Sequence, residues 1–360
     1  ATDANVPSPE SLTRNILYGQ HFYKQEFGVE STDIFLPDCF GFGWTLPTVA
    51  YNCGLIGFST QKLQWREKPF YGESKVPFEI GLWQGIDGNR IMIICNALNY
   101  TKKFSDKDLS YNQELQDRIA ANPLGLTYRY YGTGDRGGSG NLTSVSAVQT
   151  GVHSNGPVQI LSAESDRIFR DYRPYSEHGE LPVWDGELLM DVHGTGCYTS
   201  QAAMKRYNRL NENLADAAER SAVTADILGL QNYPTEFLGT AWKRFIWHQF
   251  HDDLTGTSIP RAYEFSWNDE LICLQQFGSV LESSIGAISS QLNTVVRGIP
   301  VIIYNPLATP VSTTVEITVP TDGEYKVYNA KNKVVPSQAI SKNKILVAVN
   351  EPGLTYSVYT

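Results

Sequence analysis

The spacing of apolar residues changes twice along this chain, and no other feature constrains its fold as much. Up to about residue 200, short apolar runs such as Ile91–Ile94 alternate with turns and polar stretches. Glu10–Phe27 and Thr45–Asn52 read as helices, with Ser8 or Ser11 placed to cap the first. Strands interleaved with helices predict an α/β layer or barrel. From about Ala202 the period becomes helical. One stripe is Leu210, Leu214, Ala217, Ala218, Ala222 and Ala225; the next is Leu238, Trp242, Phe245, Ile246 and Phe250; the third is Leu274, Leu281, Ile285, Ile288 and Leu292. Three such helices with short connections predict a three-helix bundle. From Ile299 the period drops to two, over Val301–Tyr304, Val315 to Val319, Tyr325–Tyr328 and Ile345–Val349, as at the start of a β-sandwich. The expected organisation is therefore multi-domain: residues 1–201 α/β, 202–295 all-α and 296–360 all-β.

Composition narrows the possible functions. The 360 residues are 41% hydrophobic and 19% charged, enough apolar material for a large core and too much for a disordered chain. A formal net charge of -9 with no basic stripe argues against a nucleic-acid binder. No apolar run approaches the roughly 20 residues of a membrane span. Five scattered cysteines without CxxC spacing read as free thiols rather than a disulfide framework. The start, ATDANVPSPESL, reads as a linker or a cut end. The compartment stays open, with secretion or the periplasm slightly favoured over the cytoplasm.

Three clusters carry candidate chemistry. In Leu36–Gly43 an aspartate, Asp38, ends an apolar strand, and the following glycines let the backbone turn and leave a carboxylate exposed. It reads as a site residue or as a turn aspartate. In His248–Asp253 two histidines and two aspartates close the second bundle helix; they suit a metal ligand with a carboxylate neighbour, or C-terminal capping by histidine. In Glu187–Gln201 a strand delivers Asp191 and His193 to one side ahead of a Gly-rich turn, as a general acid or as an ordinary strand-turn-helix. The glycines of Gly132–Gly140 lack the strand-to-helix frame of a phosphate loop and read as a flexible surface loop. Trp65, Phe70, Tyr71, Trp83 and Trp184 could stack on sugar rings, though such residues are more often core.

In this order, the clusters resemble glycoside hydrolase family 38, the zinc-dependent α-mannosidases. Further segments are similar as well: Ser8–Leu12 with Leu17–Gln20, Phe58–Leu63, Trp83–Gly88, Tyr198–Gln201 with Lys205-Arg206, Gln249–Asp253 with Thr255–Thr257, and Val301–Pro306. The resemblance implies a retaining exo-α-mannosidase that removes terminal α-linked mannose from glycans through a covalent intermediate. Retaining enzymes hold two carboxyl groups about 5 Å apart. By resemblance Asp38 is the nucleophile and a zinc ligand, and His251 is a second zinc ligand. Asp252 is a sugar-hydroxyl contact, and Phe40 and Lys62 line the substrate site. Asp191 is the acid/base by alignment, with His193 as runner-up.

None of the six histidines begins the His-x-Asp motif that supplies two further zinc ligands in this family. The sequence thus reads as an internal fragment: an incomplete α/β barrel, a three-helix bundle and the start of a β-sandwich, with the remaining zinc ligands expected from a missing N-terminal part. Expected partners are an α-mannoside oligosaccharide or N-glycan and a second copy of the chain, but neither nucleic acid nor a membrane. The competing readings are a carbohydrate-binding pseudo-enzyme of the same fold and a metal-dependent hydrolase of another substrate. Alone, this chain is expected to bind zinc weakly and turn over little or nothing; tight stoichiometric zinc in a calorimetric titration would refute that.

Overall fold

A computed structural model describes residues 2–64, 78–97, 99–178, 181–190, 193–321 and 323–360. Internal contacts divide the chain into two units, residues 1–208 with 245–268, and residues 209–244 with 269–360.

In the first unit the chain opens with α1 (Pro9–Phe27). Ser8 is its N-cap, accepting from the Ser11 amide, and Gly28 ends it in the left-handed conformation at φ 69°. There follow β1 (Asp33–Phe35), β2 (Gly41–Phe42), α2 (Thr45–Asn52), β3 (Gly57–Ser59), β4 (Ile80–Gln84) and β5 (Arg90–Ile94). Next come α3 (Gln113–Ala121), α4 (Leu142–His153), α5 (Arg167–His178), β6 (Val183–Asp185) and β7 (Leu188–Leu189). Five strands form a mixed sheet in the order β1-β3-β5-β4-β6. β1, β3 and β5 run parallel, β4 lies antiparallel to β5, and β6 lies parallel to β4. Alternate residues feed opposite faces. Trp83, Ile91 and Ile93 pack with Phe58, Leu46 and Val49, whereas Leu82, Met92 and Ile94 pack with Phe169 and Leu181. The sheet is buried on both sides, which explains the unbroken apolar run at Ile91–Ile94. Trp83 is core and Trp184 packs against it, while Trp65, Phe70 and Tyr71 lie outside the described residues.

Three helices follow, α6 (Ala202–Ile227), α7 (Thr235–Trp247) and α8 (Pro260–Ser289), and the division between the units falls within each. In the second unit they pack on one another. Trp242 stacks edge-on against Phe277 with centroids 5.6 Å apart, and its indole nitrogen donates to Glu219 Oε1 at 2.8 Å. The buried face follows the apolar stripe on α7, where Leu238, Trp242, Phe245 and Ile246 are buried, and only in part on α6 and α8. On α6 Ala215 is buried and Leu210 is exposed; on α8 the buried line is Glu270, Cys273, Phe277, Val280, Ser284 and Ile288. Polar members belong to that line because they have partners. Asn211 Nδ2 donates to Glu270 Oε2 at 2.5 Å, and Gln231 Nε2 donates to Ser284 Oγ at 2.6 Å. Leu274, Leu281 and Ile285 flank that line, half-buried. Contrary to the sequence reading, α8 is long and apolar enough to cross a membrane by length and composition; its buried Glu270 and its packing on α6 and α7 are those of a folded unit.

The same unit continues with β8 (Val301–Asn305), β9 (Val311–Thr318), β10 (Val327–Tyr328), β11 (Val334–Val335), β12 (Ser337–Ser341), β13 (Lys344–Glu351) and β14 (Thr355–Tyr359). All pairings are antiparallel, in sheets β12-β13-β9, β14-β8 and β10-β11. One apolar cluster joins Ile317, Val327, Val347, Val349 and Tyr359 with Val301 and Ile303. β12, exposed along its whole length, has no apolar alternation to announce it. All five cysteines are free, and Cys39, Cys95 and Cys273 are buried.

Asp33, which opens β1, is costly to bury. One carboxylate oxygen is buried without a hydrogen bond, and burial, with the nearby charge of Asp166, pushes its pKa up to about 6. The folded state therefore holds this proton more tightly than the unfolded chain, and stability falls as pH rises from about 3.8 to about 6. Asp33→Asn should stabilise the fold by about 1–2 kcal/mol at pH 7 and by nothing below about pH 4; urea unfolding at the two pH values measures this.

Candidate active site

Three parallel strands deliver the first cluster. Asp38 follows β1, Lys62 follows its neighbour β3, and Tyr100 follows β5 beyond that, so all three leave the carboxyl ends of adjacent strands. Open α/β sheets place their ligand sites there. The ladder continues past the strands: the Leu36 amide donates to Ser59 O at 3.1 Å and the Thr60 amide to Ile94 O at 3.0 Å. The expected turn after Asp38 is present. Gly41 has φ 106°, and a Cβ there would sit 3.3 Å from Leu189 Cα and Met190 N. That tightness lets β2 pair with β7 and brings the segment before residue 191 alongside.

Asp38 is held at three atoms. Lys62 Nζ donates to its main-chain oxygen at 2.8 Å and lies 3.5 Å from Oδ1, and Tyr100 OH donates to Oδ2 at 2.8 Å. Only 18% of the Asp38 side chain and 8% of the Lys62 side chain are exposed, so the ion pair is shielded from bulk water. The Lys62 ammonium also sits 4.5 Å above the Phe40 ring. Phe40 in turn lies beside His193, with ring centroids 6.0 Å apart, and over Gly194, where a Cβ would strike its ring at 2.1 Å.

The Tyr100 hydroxyl has a second carboxylate neighbour, Asp135 Oδ1 at 3.2 Å. A 2.8 Å contact on one side and a 3.2 Å contact on the other keep these oxygens of Asp38 and Asp135 within about 6 Å of each other. Burial, followed by both carboxylates, pushes the Tyr100 pKa well above its ordinary value, so the phenol stays protonated. Its single hydrogen serves two acceptors. Asp135 belongs to the Gly132–Gly140 loop, which is largely exposed as expected but brings a carboxylate against Tyr100 that the sequence reading did not foresee. Its own φ of 74° was a sign hidden from sequence; an acidic residue among glycines was the visible one.

The second cluster lies in the turns after α7, which stops at Trp247, so His248 and His251 do not share a helix face. His248 Nδ1 lies 2.7 Å from Asp253 Oδ2, and Ser266 Oγ donates to the same carboxylate, which anchors the turn. His251 is buried, its ring lies against Phe250, and its Nε2 is 3.7 Å from Asp252 Oδ2. Asp252 Oδ1 accepts from Thr257 Oγ1 at 2.6 Å. The structure thus groups Asp38, Phe40 and Lys62, and separately His251 with Asp252; Asp191 lies outside the described residues. Among the described residues, no three His, Cys, Asp or Glu side chains gather as a metal cage. A carboxylate and an imidazole are suitable zinc donors in kind, but two fall short of the four of a tetrahedral site.

Residues 1–187 match the family described as "Glycosyl hydrolases family 38 N-terminal domain", and residues 192–288 match "Alpha mannosidase middle domain". The chain is 34% identical over 266 residues to Alpha-mannosidase G of Dictyostelium discoideum, covering 73% of this chain and 23% of that protein. It is 30% identical over 292 residues to human Alpha-mannosidase 2C1, covering 79% of this chain and 26% of the relative. It therefore spans about a quarter of the length of these relatives. Among solved structures, an alpha-mannosidase from Enterococcus faecalis V583 superimposes with a TM-score of 0.70 at 17% identity, over 99% of this chain and 46% of that one.

Lys62→Met should cost about 1–3 kcal/mol, because it leaves the Asp38 carbonyl and carboxylate without their cation in a shielded place. Chemical denaturation beside Lys62→Arg, which keeps the charge, measures it; an unchanged midpoint would show the ion pair to be idle.

Proposed function

Because the chain belongs to glycoside hydrolase family 38, we propose that it is part of a retaining exo-α-mannosidase in which Asp38 is the nucleophile and Asp135 the partner carboxyl group. The observation that carries this reading is the pair of carboxylates sharing the Tyr100 hydroxyl. Their separation, within about 6 Å, suits the roughly 5 Å of retaining enzymes better than the roughly 6.5–9.5 Å of inverting ones. Asp38 attacks the anomeric carbon while the other carboxyl group, protonated, donates to the departing oxygen; it then deprotonates the water that frees the mannosyl ester. Tyr100 donates to Asp38 before attack and turns toward Asp135 as the Asp38 charge is consumed. Lys62 holds Asp38 in place through its main-chain oxygen and its carboxylate. Phe40 offers its ring face to the sugar, and Asp252 accepts a sugar hydroxyl.

Asp38 and His251 would contribute to a zinc site whose other ligands come from outside the described residues. Zinc would supply Lewis-acid binding of the sugar's vicinal hydroxyls. The domain reading follows the two matched regions: residues 1–201 form part of an α/β barrel, 202–295 a three-helix bundle and 296–360 the first strands of a β-sandwich, support coming from the match limits at 187, 192 and 288.

The test uses the full-length protein and an aryl α-mannoside. Asp38→Asn and Asp135→Asn should each lower kcat by at least about 10³-fold, the mannose first released should be the α-anomer by proton NMR, and chelation should abolish turnover. If Asp191→Asn is crippled and Asp135→Asn is not, the acid/base passes to Asp191. An active Asp38→Asn enzyme would sink the assignment, and mannoside binding without hydrolysis would favour the pseudo-enzyme.

A further inference from the structure

We propose that Asp3 is a positioning residue whose carboxylate folds Thr2–Val6 into a clasp between the Asp38 loop and the His251 turn. This rests on the reading that Asp38 and His251 serve one site.

Asp3 is fully buried, a costly place for a carboxylate unless its lone pairs are matched. They are matched on both oxygens. Oδ2 accepts from the Asn5 amide at 3.0 Å and the Val6 amide at 2.7 Å, and Oδ1 accepts from Tyr198 OH at 2.7 Å. The two amide bonds curl the backbone around the carboxylate in an Asx-type turn. Asp3 also supports a half-buried cation: its charge opposes the loss of basicity that burial imposes on Lys205, whose ammonium donates to Thr255 O at 3.0 Å.

The outside of the curl is bonded on two sides. Toward the His251 turn, the Asp3 amide donates to Gln249 O at 2.7 Å, Thr2 Oγ1 donates to the same oxygen at 3.3 Å, and Thr2 pairs with Phe250 as an antiparallel bridge. Toward the Asp38 loop, Cys39 Sγ donates to Thr2 O at 3.1 Å, Asn5 Nδ2 donates to Phe40 O at 3.4 Å, and the Gly43 amide donates to Ala4 O at 3.4 Å. Asn5 Nδ2 also reaches Tyr198 OH at 2.7 Å, closing the network. Residues that directly adjoin Asp38 and His251 are thus joined through five residues whose shape depends on one carboxylate.

Asp3→Asn is the discriminating change. It is isosteric, but both native oxygens accept, so its amide nitrogen must face a donor in either orientation. Tyr198→Phe is the milder partner, removing one donor and leaving the carboxylate. Phe169→Leu, in the core on the other face of the sheet, is the control for general destabilisation. Full-length protein is measured in three ways: hydrogen exchange of peptides covering residues 37–43, 248–252 and 91–95; zinc retention against a chromophoric chelator; and kcat and KM.

In Asp3→Asn the first two peptides should exchange at least tenfold faster and the third unchanged. Zinc should be held at least tenfold more weakly, and kcat should fall ten- to a hundredfold with KM within threefold. Tyr198→Phe should move the same quantities less, and it stands in if Asp3→Asn does not fold. Phe169→Leu, matched in Tm, should leave zinc and kcat near wild type. Unchanged exchange at 37–43 and 248–252, or zinc and kcat losses no larger than the control's, would overturn the proposal. Failure of the underlying reading gives a different pattern: His251→Ala retains zinc, while exchange still reports whether the clasp exists.

Discussion

Parallel pairing of β1, β3 and β5 is the constraint on which the candidate site depends. Three loops leave the sheet side by side, and a side chain from each reaches the same spot: Asp38, Lys62 and Tyr100. The strands can lie there because both faces of the sheet are dry, with Trp83 and Phe58 on one side and Phe169 on the other. The local order is close to minimal. β1 and β3 have three residues each, so their alignment relies on hydrogen bonds that continue into Leu36 and Thr60.

Much of this was legible in the residues, and what was not had a physical cause. The residues alone marked Asp38 as a carboxylate at a strand end, open between a site residue and a turn aspartate, and the resemblance supplied its expected role. α2 was read to the residue because its apolar positions face one core. The three helices were legible in number and order, and the buried face was legible on α7 but only in part on α6 and α8. Apolar periodicity assigns Glu270 and Ser284 to water, and only a partner on α6 or in the turn after it reverses that. Asp135 and Asp3 escaped for a related reason. One sits among glycines and the other in what resembles a linker, and each acquires meaning from a contact with residues far along the chain, Tyr100 and Tyr198. Spacing within a segment carries no trace of such meetings.

Two tyrosines do similar work at these carboxylates. Tyr100 and Tyr198 are both pushed well above the ordinary phenol pKa, by burial first and by neighbouring aspartates next. Each is thereby a donor that does not titrate in the working range, a steadier partner for an anion than a histidine would be. The difference lies in how many acceptors share the proton. Tyr198 gives its hydrogen to Asp3 alone, whereas Tyr100 stands between two acceptors, Asp38 and Asp135.

Lys62 illustrates what such tethering does before any ligand arrives. A lysine free in water samples many rotamers, and fixing it costs about 2 kcal/mol of entropy. Here the main-chain oxygen of Asp38, its carboxylate and the Phe40 ring have already selected one arrangement. That loss is part of folding, so a ligand meeting this cation has no disorder to remove. Its affinity then reports how well it matches a rigid charge, and a poorly shaped competitor finds no adaptable side chain to accommodate it.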